Sequence, residues 1–412
     1  MYGGGNIGRG FIGCLFSQSG YEVRFVDVAA PVVEELNKKK SYPLRIVSTL
    51  GCEDILVKNV SAVDGNDVAA VADAIAHCSI MATAVGARIL KFIVPNIVAG
   101  LRRRWAQGGG PLNIIICENL NDANKILEGM LREQLTPEEQ DIFTETVGLV
   151  EASIGRMVPV QTPEMKDGEP LRVCVERYGF LPVDKAAFKG GIPDVKGMVP
   201  FEPFDFFVKR KLFIHNMGHA TTAYLGSLYG YGYICEAIGD PDIRIIAQNA
   251  MLESAIVLAK RYDVSLAALI LHISDLICRF GNEALKDTCD RVGADPARKL
   301  SPADRLIGSA TLAVEQGLTP AYIAVGIAGG LKRYLDENGP AQGHEQAKKV
   351  LLDLCGIDLN CAPGAFSTVE ELRRLGRADA NIFLSQERCA GTAAYMEERW
   401  DIPSFRFGCP PI

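Results

Sequence analysis

The sequence predicts an α/β amino-terminal domain followed by a mostly α-helical carboxy-terminal one. Three observations predict it. A glycine-rich turn opens the chain and leads into a helix and then a strand that ends in an acid. Short, wholly apolar runs bounded by polar residues recur through the first half, and beyond residue 204 the apolar period is helical. At 412 residues the chain is too long for one compact core, so two domains are expected, 1–195 and 196–412.

The opening turn, Gly3-Gly4-Gly5-Asn6-Ile7-Gly8, fits G-x-G-x-x-G. Its glycines let the backbone turn tightly and approach a pyrophosphate, which rests on the amino end of the next helix. The run 21–27 then reads as a strand ending at Asp27. A carboxylate there accepts hydrogen bonds from the adenosine ribose and repels a 2′-phosphate, so NAD is expected rather than NADP. Turn, helix, strand and acid in this order predict a Rossmann-type domain, with Gly3, Gly5, Asn6, Ile7, Gly8 and Asp27 at the cofactor. The plainer alternative is an ordinary glycine-rich loop.

One part is short. The fold calls for a strand of about five residues before the first glycine, and only Met1 and Tyr2 precede Gly3. The first strand is therefore expected to be truncated, leaving unpaired edges mid-sheet, with poor folding and weak cofactor binding unless more residues precede Met1.

The runs 80–86, 112–119, 145–153 and 171–177 read as further strands, the first two ending in polar or glycine residues. Ligands of an open parallel sheet gather at such carboxyl ends. Thr83, Val85 and Gly86 are thus expected at the cofactor and Asn119 at the reacting centre, although an asparagine at a strand end also forms turns. A stretch rich in glycine and proline, 190–200, closes the domain.

The second half is punctuated by glycine and proline into expected helices at 204–226, 241–262, 265–280, 302–317, 320–338 and 343–355. It is expected to supply the substrate pocket over the nicotinamide end of the cofactor. The first helix carries Lys211, Asn216 and His219, which at α-helical spacing fall at roughly 0°, 140° and 80°, all on one side. A lysine, an amide and an imidazole are costly to bury for packing alone, and together they offer a base, a hydrogen-bond donor and a ring able to do either job.

Composition narrows the partners. With 50 acidic and 43 basic residues well mixed, and a net charge of −7, there is no basic stripe for nucleic acid or an anionic membrane surface. The apolar run 80–98 is interrupted by Arg88 and Lys91, so no membrane span is expected. No signal peptide is evident at the start. The 12 cysteines lack a CxxC or a regular framework, and Cys78, Cys117 and Cys174 sit inside apolar runs. They read as reduced, buried thiols of a cytoplasmic protein.

These stretches resemble the polyol-specific long-chain dehydrogenase/reductase family. The resemblance rests on 3–13, Thr83-Ala-Val-Gly86, Cys117-Glu-Asn119, 183–190, Arg210-Lys-Leu-Phe213, Gly218-His219-Ala220, Ala223-Tyr-Leu-Gly226, Arg298-Lys-Leu-Ser301 and Asp304-Arg-Leu306, over nearly the whole chain. The family's K-x4-N-x2-H signature falls on Lys211, Asn216 and His219, and its strand-end asparagine on Asn119. The resemblance implies NAD-dependent, metal-free interconversion of D-mannitol 1-phosphate and D-fructose 6-phosphate. In it Lys211 is the base, Asn119 and Asn216 bind the developing alkoxide, and His219 holds a neighbouring hydroxyl. It also implies a monomer or weak oligomer.

Three alternatives stay open. His215 and His219, at i and i+4, would suit zinc, but no third ligand accompanies them. Arg298, Lys299 and Arg305, with Arg291 nearby, are expected at a substrate phosphate, since a dianion wants several cations; the plainer alternative is a solvated face, with an unphosphorylated hexitol or a hexuronate as substrate. A catalytically dead nucleotide-binding homologue is the reading from another class.

Overall fold

The computed structural model of the protein describes residues 1–120, 122–339, 349–350, 352–354, 381–383 and 404–406. Its contacts divide the chain into Met1–Phe207 and Val208–Ile412.

In the first unit the strands are β1 (Val23–Asp27), β2 (Ser41–Ser48), β3 (Gly51–Lys58), β4 (Val60–Asp64), β5 (Met81–Thr83), β6 (Leu112–Ile116), β7 (Val147–Glu151), β8 (Val173–Val175), β9 (Leu181–Asp184) and β10 (Met198–Phe201). Helices α1 (Gly13–Gln18), α2 (Ala30–Lys39), α3 (Val68–His77), α4 (Leu90–Ala106), α5 (Ala123–Arg132) and α6 (Pro137–Thr146) are interspersed among them. β1 pairs β4 in parallel, Val23 opposite Val60, and β5, β6 and β7 pair in parallel in that order. Every residue of β6, Leu-Asn-Ile-Ile-Ile, is buried, as a strand covered on both faces requires.

Tyr2 fills the place between these two groups. It bridges Val26 on one side and Thr83 on the other, both in parallel. Tyr2 N–H donates to Ala82 and Ala84 N–H to Tyr2 C=O at 2.8 and 2.9 Å; Gly3 N–H donates to Val26 and Val26 N–H to Met1 C=O, both at 2.9 Å. The order β4-β1-Tyr2-β5-β6-β7 is that of a Rossmann sheet, 3-2-1-4-5-6. The edges expected to stand open are thus paired at their carboxyl ends, beside the site. Behind Met1 lies a groove of about 300 Å³ lined by Glu22, Arg24, His77, Cys78 and Ile80, among others.

The hairpin β2–β3, in antiparallel register from Ser41 opposite Lys58 to Ser48 opposite Gly51, has no counterpart in the sequence reading. It joins β8 in parallel through β2, Leu44 opposite Val173. β9 and β10 pair in parallel, which keeps Met198–Phe201 with the first unit.

The second unit is helical: α7 (Met217–Leu228), α8 (Ile234–Gly239), α9 (Pro241–Tyr262), α10 (Leu266–Phe280), α11 (Ile307–Glu315) and α12 (Ala321–Asn338). Almost all of α7 is buried, and its small residues explain how. A Cβ on Gly218 would stand 2.5 Å from Met251 Sδ on α9, and one on Gly226 would stand 2.6 Å from Ala237 Cβ on α8. Neighbouring helices pack against the backbone of α7 itself.

The helix expected over 204–226 runs without a break from Asp205 to Leu228, but its middle is a π-helical turn, Arg210–Asn216, between Asp205–Lys209 and α7. The helix expected from 302 begins at Ile307, because Asp304 draws the preceding residues into turns, its Oδ1 accepting from Arg305 N–H at 2.6 Å. The helix expected at 343–355 lies largely outside the described residues. Among the described residues, no helix is long and apolar enough to cross a membrane.

Candidate active site

In the first unit the glycine-rich turn forms a cradle. Gly3 has φ +96, and a Cβ there would lie 2.4 Å from Ala84 O, so only glycine fits. A Cβ on Gly8 would lie 1.9 Å from Gly3 O, whereas one on Gly5 would meet nothing within 4 Å. The helix starts at Asn6 and passes into a second π-helical turn, Gly8–Ile12, where Gly13 N–H donates to Gly8 O. Gly5 and Asn6 are exposed and Ile7 half-buried, which leaves the amino end of this helix open to an anion. Asp27 closes the cradle: Oδ2 accepts from Gly4 N–H at 2.7 Å and Oδ1 from Ala29 N–H at 2.9 Å. Each oxygen keeps a lone pair for a ribose hydroxyl. Open backbone, helix terminus and carboxylate fit a dinucleotide.

Two buried arginines that carry no sequence signal support this turn from behind. Arg9 Nε donates to Gly4 O and Nη1 to Leu171 O, each at 2.5 Å, while Tyr42 Oη donates to Arg9 O at 2.6 Å. Arg156 Nη1 donates to Gly10 O at 2.7 Å, and Nε to Tyr178 O.

Thr83 ends β5, buried, with its Oγ1 unpartnered. Val85 and Gly86 follow, and their N–H groups are both taken by Glu118, at 3.0 Å to Oε1 and 2.8 Å to Oε2. Asn119 comes next after Glu118 and is exposed. Glu151, which ends β7, is pushed up to about 7 by burial, with Asp122 and Asp184 adding to it. Neither glutamate was singled out by its sequence pattern.

In the second unit Lys211 and Asn216 lie on the π-helical turn. There i→i+5 bonds, such as Met217 N–H to Leu212 O, put residues five apart about one turn from each other. The α-helical angles expected for the pair do not hold on this turn, which brings the two positions closer to one face. Burial lowers the Lys211 ammonium to about 8, and the charge of Arg305 adds to the effect. His219, on α7, stacks on Phe280 with ring centroids 4.7 Å apart and planes at 11°. Its Nε2 lies 3.3 Å from Asp287 Oδ2, and burial holds its pKa below the usual imidazole range against the pull of Asp287. His215 is 6.1 Å from His219 between centroids, is buried, and is pushed well below the usual range by desolvation.

The cations expected at a phosphate have other contacts. Arg298 Nε donates to Asp295 at 2.7 Å and Nη1 to Asp304 at 3.1 Å, and Arg305 Nε donates to Asp304 at 2.8 Å. Lys299 is 5 % exposed and donates to Val292 O at 2.5 Å and to Ala294 O. Burial lowers it to about 8, with Arg305 and Arg298 contributing.

Family models match in three stretches: Mannitol dehydrogenase Rossmann domain over residues 1–197, Mannitol dehydrogenase C-terminal domain over 204–350, and Nitrogenase component 1 type Oxidoreductase over 337–411. The family match thus ends at 350 and does not run over nearly the whole chain, as the sequence reading expected. A solved D-sorbitol dehydrogenase, substrate-free, is similar with a TM-score of 0.70 at 17% identity, over 85% of this chain and 84% of that one. A mannitol 2-dehydrogenase from Pseudomonas fluorescens, solved with NAD and D-mannitol, is similar with a TM-score of 0.64 at 15% identity, over 81% and 78%. At these identities the likeness speaks for the fold. With both mannitol dehydrogenase domains matched in order over a Rossmann-type and a helical unit, the chain belongs to the mannitol dehydrogenase family, as an oxidoreductase of polyol CH–OH groups with NAD as cofactor.

Proposed function

We propose that this enzyme interconverts D-mannitol 1-phosphate and D-fructose 6-phosphate, with Lys211 as general base. The observation that carries the base is the lowered Lys211 ammonium, which burial brings to about 8 on a π-helical turn that also bears Asn216. An ordinary lysine, near 10.4, is a poor base at neutral pH. NAD, when bound, accepts the hydride from the carbinol carbon. Lys211 Nζ takes the hydroxyl proton, the side-chain amides of Asn216 and Asn119 donate to the oxygen as charge develops on it, and His219 holds a neighbouring hydroxyl. Asp27 would hold the ribose, and the amides at Gly5, Asn6 and Ile7 the pyrophosphate.

The phosphate reading rests on the cations gathered between Arg298 and Arg305 and on the resemblance of the surrounding motif. A second reading, an unphosphorylated hexitol or a hexuronate, draws support from the same cations, because Asp295 and Asp304 already pair with the two arginines and carbonyls hold the lysine. The two mannitol dehydrogenase-fold structures described above, named for sorbitol and for mannitol, agree with that reading equally well.

NADH oxidation with fructose 6-phosphate, fructose and fructuronate, on the wild type and on Arg298→Ala and Arg305→Ala, separates them. Preference for the phosphate ester that is lost in the variants is expected. Preference for an uncharged or carboxylate sugar, indifferent to those substitutions, would replace the phosphate reading by the second. Bound NADH without turnover of any of the three would leave a nucleotide-binding homologue.

A further inference from the structure

Asp287 has no place in the reaction described so far, yet its surroundings are built around it. It follows the short 3-10 turn Glu283–Leu285 and Lys286, a left-handed residue at φ 48. Its backbone is pinned, since Ile234 N–H donates to Asp287 O at 2.9 Å and Thr288 bridges Tyr233. Its side chain is 10 % exposed, with Oδ2 3.3 Å from His219 Nε2. The other oxygen, Oδ1, accepts from Arg291 Nε at 2.8 Å and Nη2 at 2.5 Å. Phe280, stacked on the face of the imidazole, fixes the ring plane.

We propose that Asp287 is the positioning residue of the reaction: anchored by Arg291, it turns His219 about its side chain so that Nε2 carries the proton and Nδ1 is left as an acceptor. The inference rests on the reading of His219 as the residue that holds a substrate hydroxyl.

The chemistry runs in one direction. An ionised carboxylate only accepts, so the imidazole nitrogen facing it is the protonated one, and in a neutral ring the other nitrogen is then bare. Nδ1 can accept a hydrogen bond from a sugar hydroxyl but cannot donate one. The Phe280 stack alone leaves the ring free to flip between its two edges; Asp287 removes that freedom. At 3.3 Å the two atoms are within ion-pair reach but do not yet make a hydrogen bond, and Nε2 stands buried without another hydrogen-bond partner; such contacts tighten when substrate is seated.

The experiment is a double-mutant cycle of Asp287→Asn and His219→Ala, read as kcat and KM with fructose 6-phosphate and with fructose, beside NADH titration and thermal melting. The asparagine keeps the shape of Asp287 and offers an N–H where the carboxylate accepted. Asp287→Asn is expected to lower kcat/KM about tenfold, the size of one hydrogen bond to the substrate, with NADH affinity unchanged. The double variant is expected within about twofold of His219→Ala alone, because Asp287 has nothing left to position. Losses that multiply, or a wild-type Asp287→Asn beside an impaired His219→Ala, would overturn the proposal and leave His219 its role. A wild-type His219→Ala would remove the role itself, and the inference with it. Should Asp287→Asn fail to fold, the same cycle is run with Asp287→Glu, which retains the carboxylate and is expected to recover most of the activity; a Glu variant as impaired as His219→Ala would count against positioning.

Discussion

The carboxylate of Glu118 takes the backbone N–H of Gly86 at 2.8 Å, with Val85 N–H on its other oxygen at 3.0 Å. One buried side chain thereby sets the path of the loop after β5, and its neighbour in sequence is Asn119. Glu118→Ala would leave two amides without acceptors, at about 1–3 kcal/mol for each one that stays buried. NADH affinity is expected to fall roughly tenfold for every 1.4 kcal/mol that appears in binding. Fluorescence titration of NADH measures it; an unchanged Kd would mean that the loop keeps its shape without Glu118.

With Lys211 as the proposed base, the reaction is expected to take its pH dependence from the lowered ammonium. Polyol oxidation needs the neutral amine and is expected to rise with pH through about 8; ketose reduction needs the ammonium and is expected to fall over the same interval. Lys211→Ala is expected to bind NADH normally and to lose about a hundred- to ten-thousand-fold in kcat. The check is a pair of pH–rate profiles, one for each direction. A limb near pH 8 that survives in the alanine variant would belong to another group.

Gly5 and Gly8 separate the cradle's two requirements. A Cβ at Gly8 collides with Gly3 O, so Gly8→Ala is expected to lower the melting temperature and abolish NADH binding. A Cβ at Gly5 meets nothing within 4 Å, so Gly5→Ala is expected to melt with the wild type and yet bind NADH at least about tenfold more weakly, because the methyl takes space a pyrophosphate needs. Calorimetry with and without NADH reads both. A Gly5→Ala protein that binds NADH normally would move the pyrophosphate elsewhere.

Asp27 is expected to set the choice of cofactor. Asp27→Ser removes the charge that repels a 2′-phosphate and keeps an acceptor for Gly4 N–H. The ratio of kcat/KM for NADH over NADPH is expected to fall by about tenfold or more. A ratio that does not move would transfer the discrimination to another residue.

Much of this was legible in the sequence because it is local. The glycines, Asp27 and the apolar runs that became β1, β5, β6 and β7 each announce themselves within a few residues. The hairpin β2–β3 did not: Tyr42, Leu44 and Ile46 are buried in alternation with Pro43 and Arg45, but a proline inside the run argues against a strand, and most of β3 is exposed, opening on Gly-Cys-Glu-Asp. The π-helical turns leave no compositional trace, as adding one residue to a turn changes the register and not the residue types. Glu118, Asp287, Arg9 and Arg156 act on partners remote in sequence, and a charged residue's spacing along the chain does not reveal which backbone groups or rings it will face.

Tyr2, finally, is the one peptide that ties the two groups of strands together among the described residues. Four amides on either side of it, those of Tyr2, Gly3, Val26 and Ala84, are bonded across the two seams that join β4-β1 to β5-β6-β7. Neither seam can part without the short peptide between them losing a row of bonds. Solvent exchange at these four amides would therefore run at a common rate, set by detachment of Met1–Gly3, which opens both seams at once.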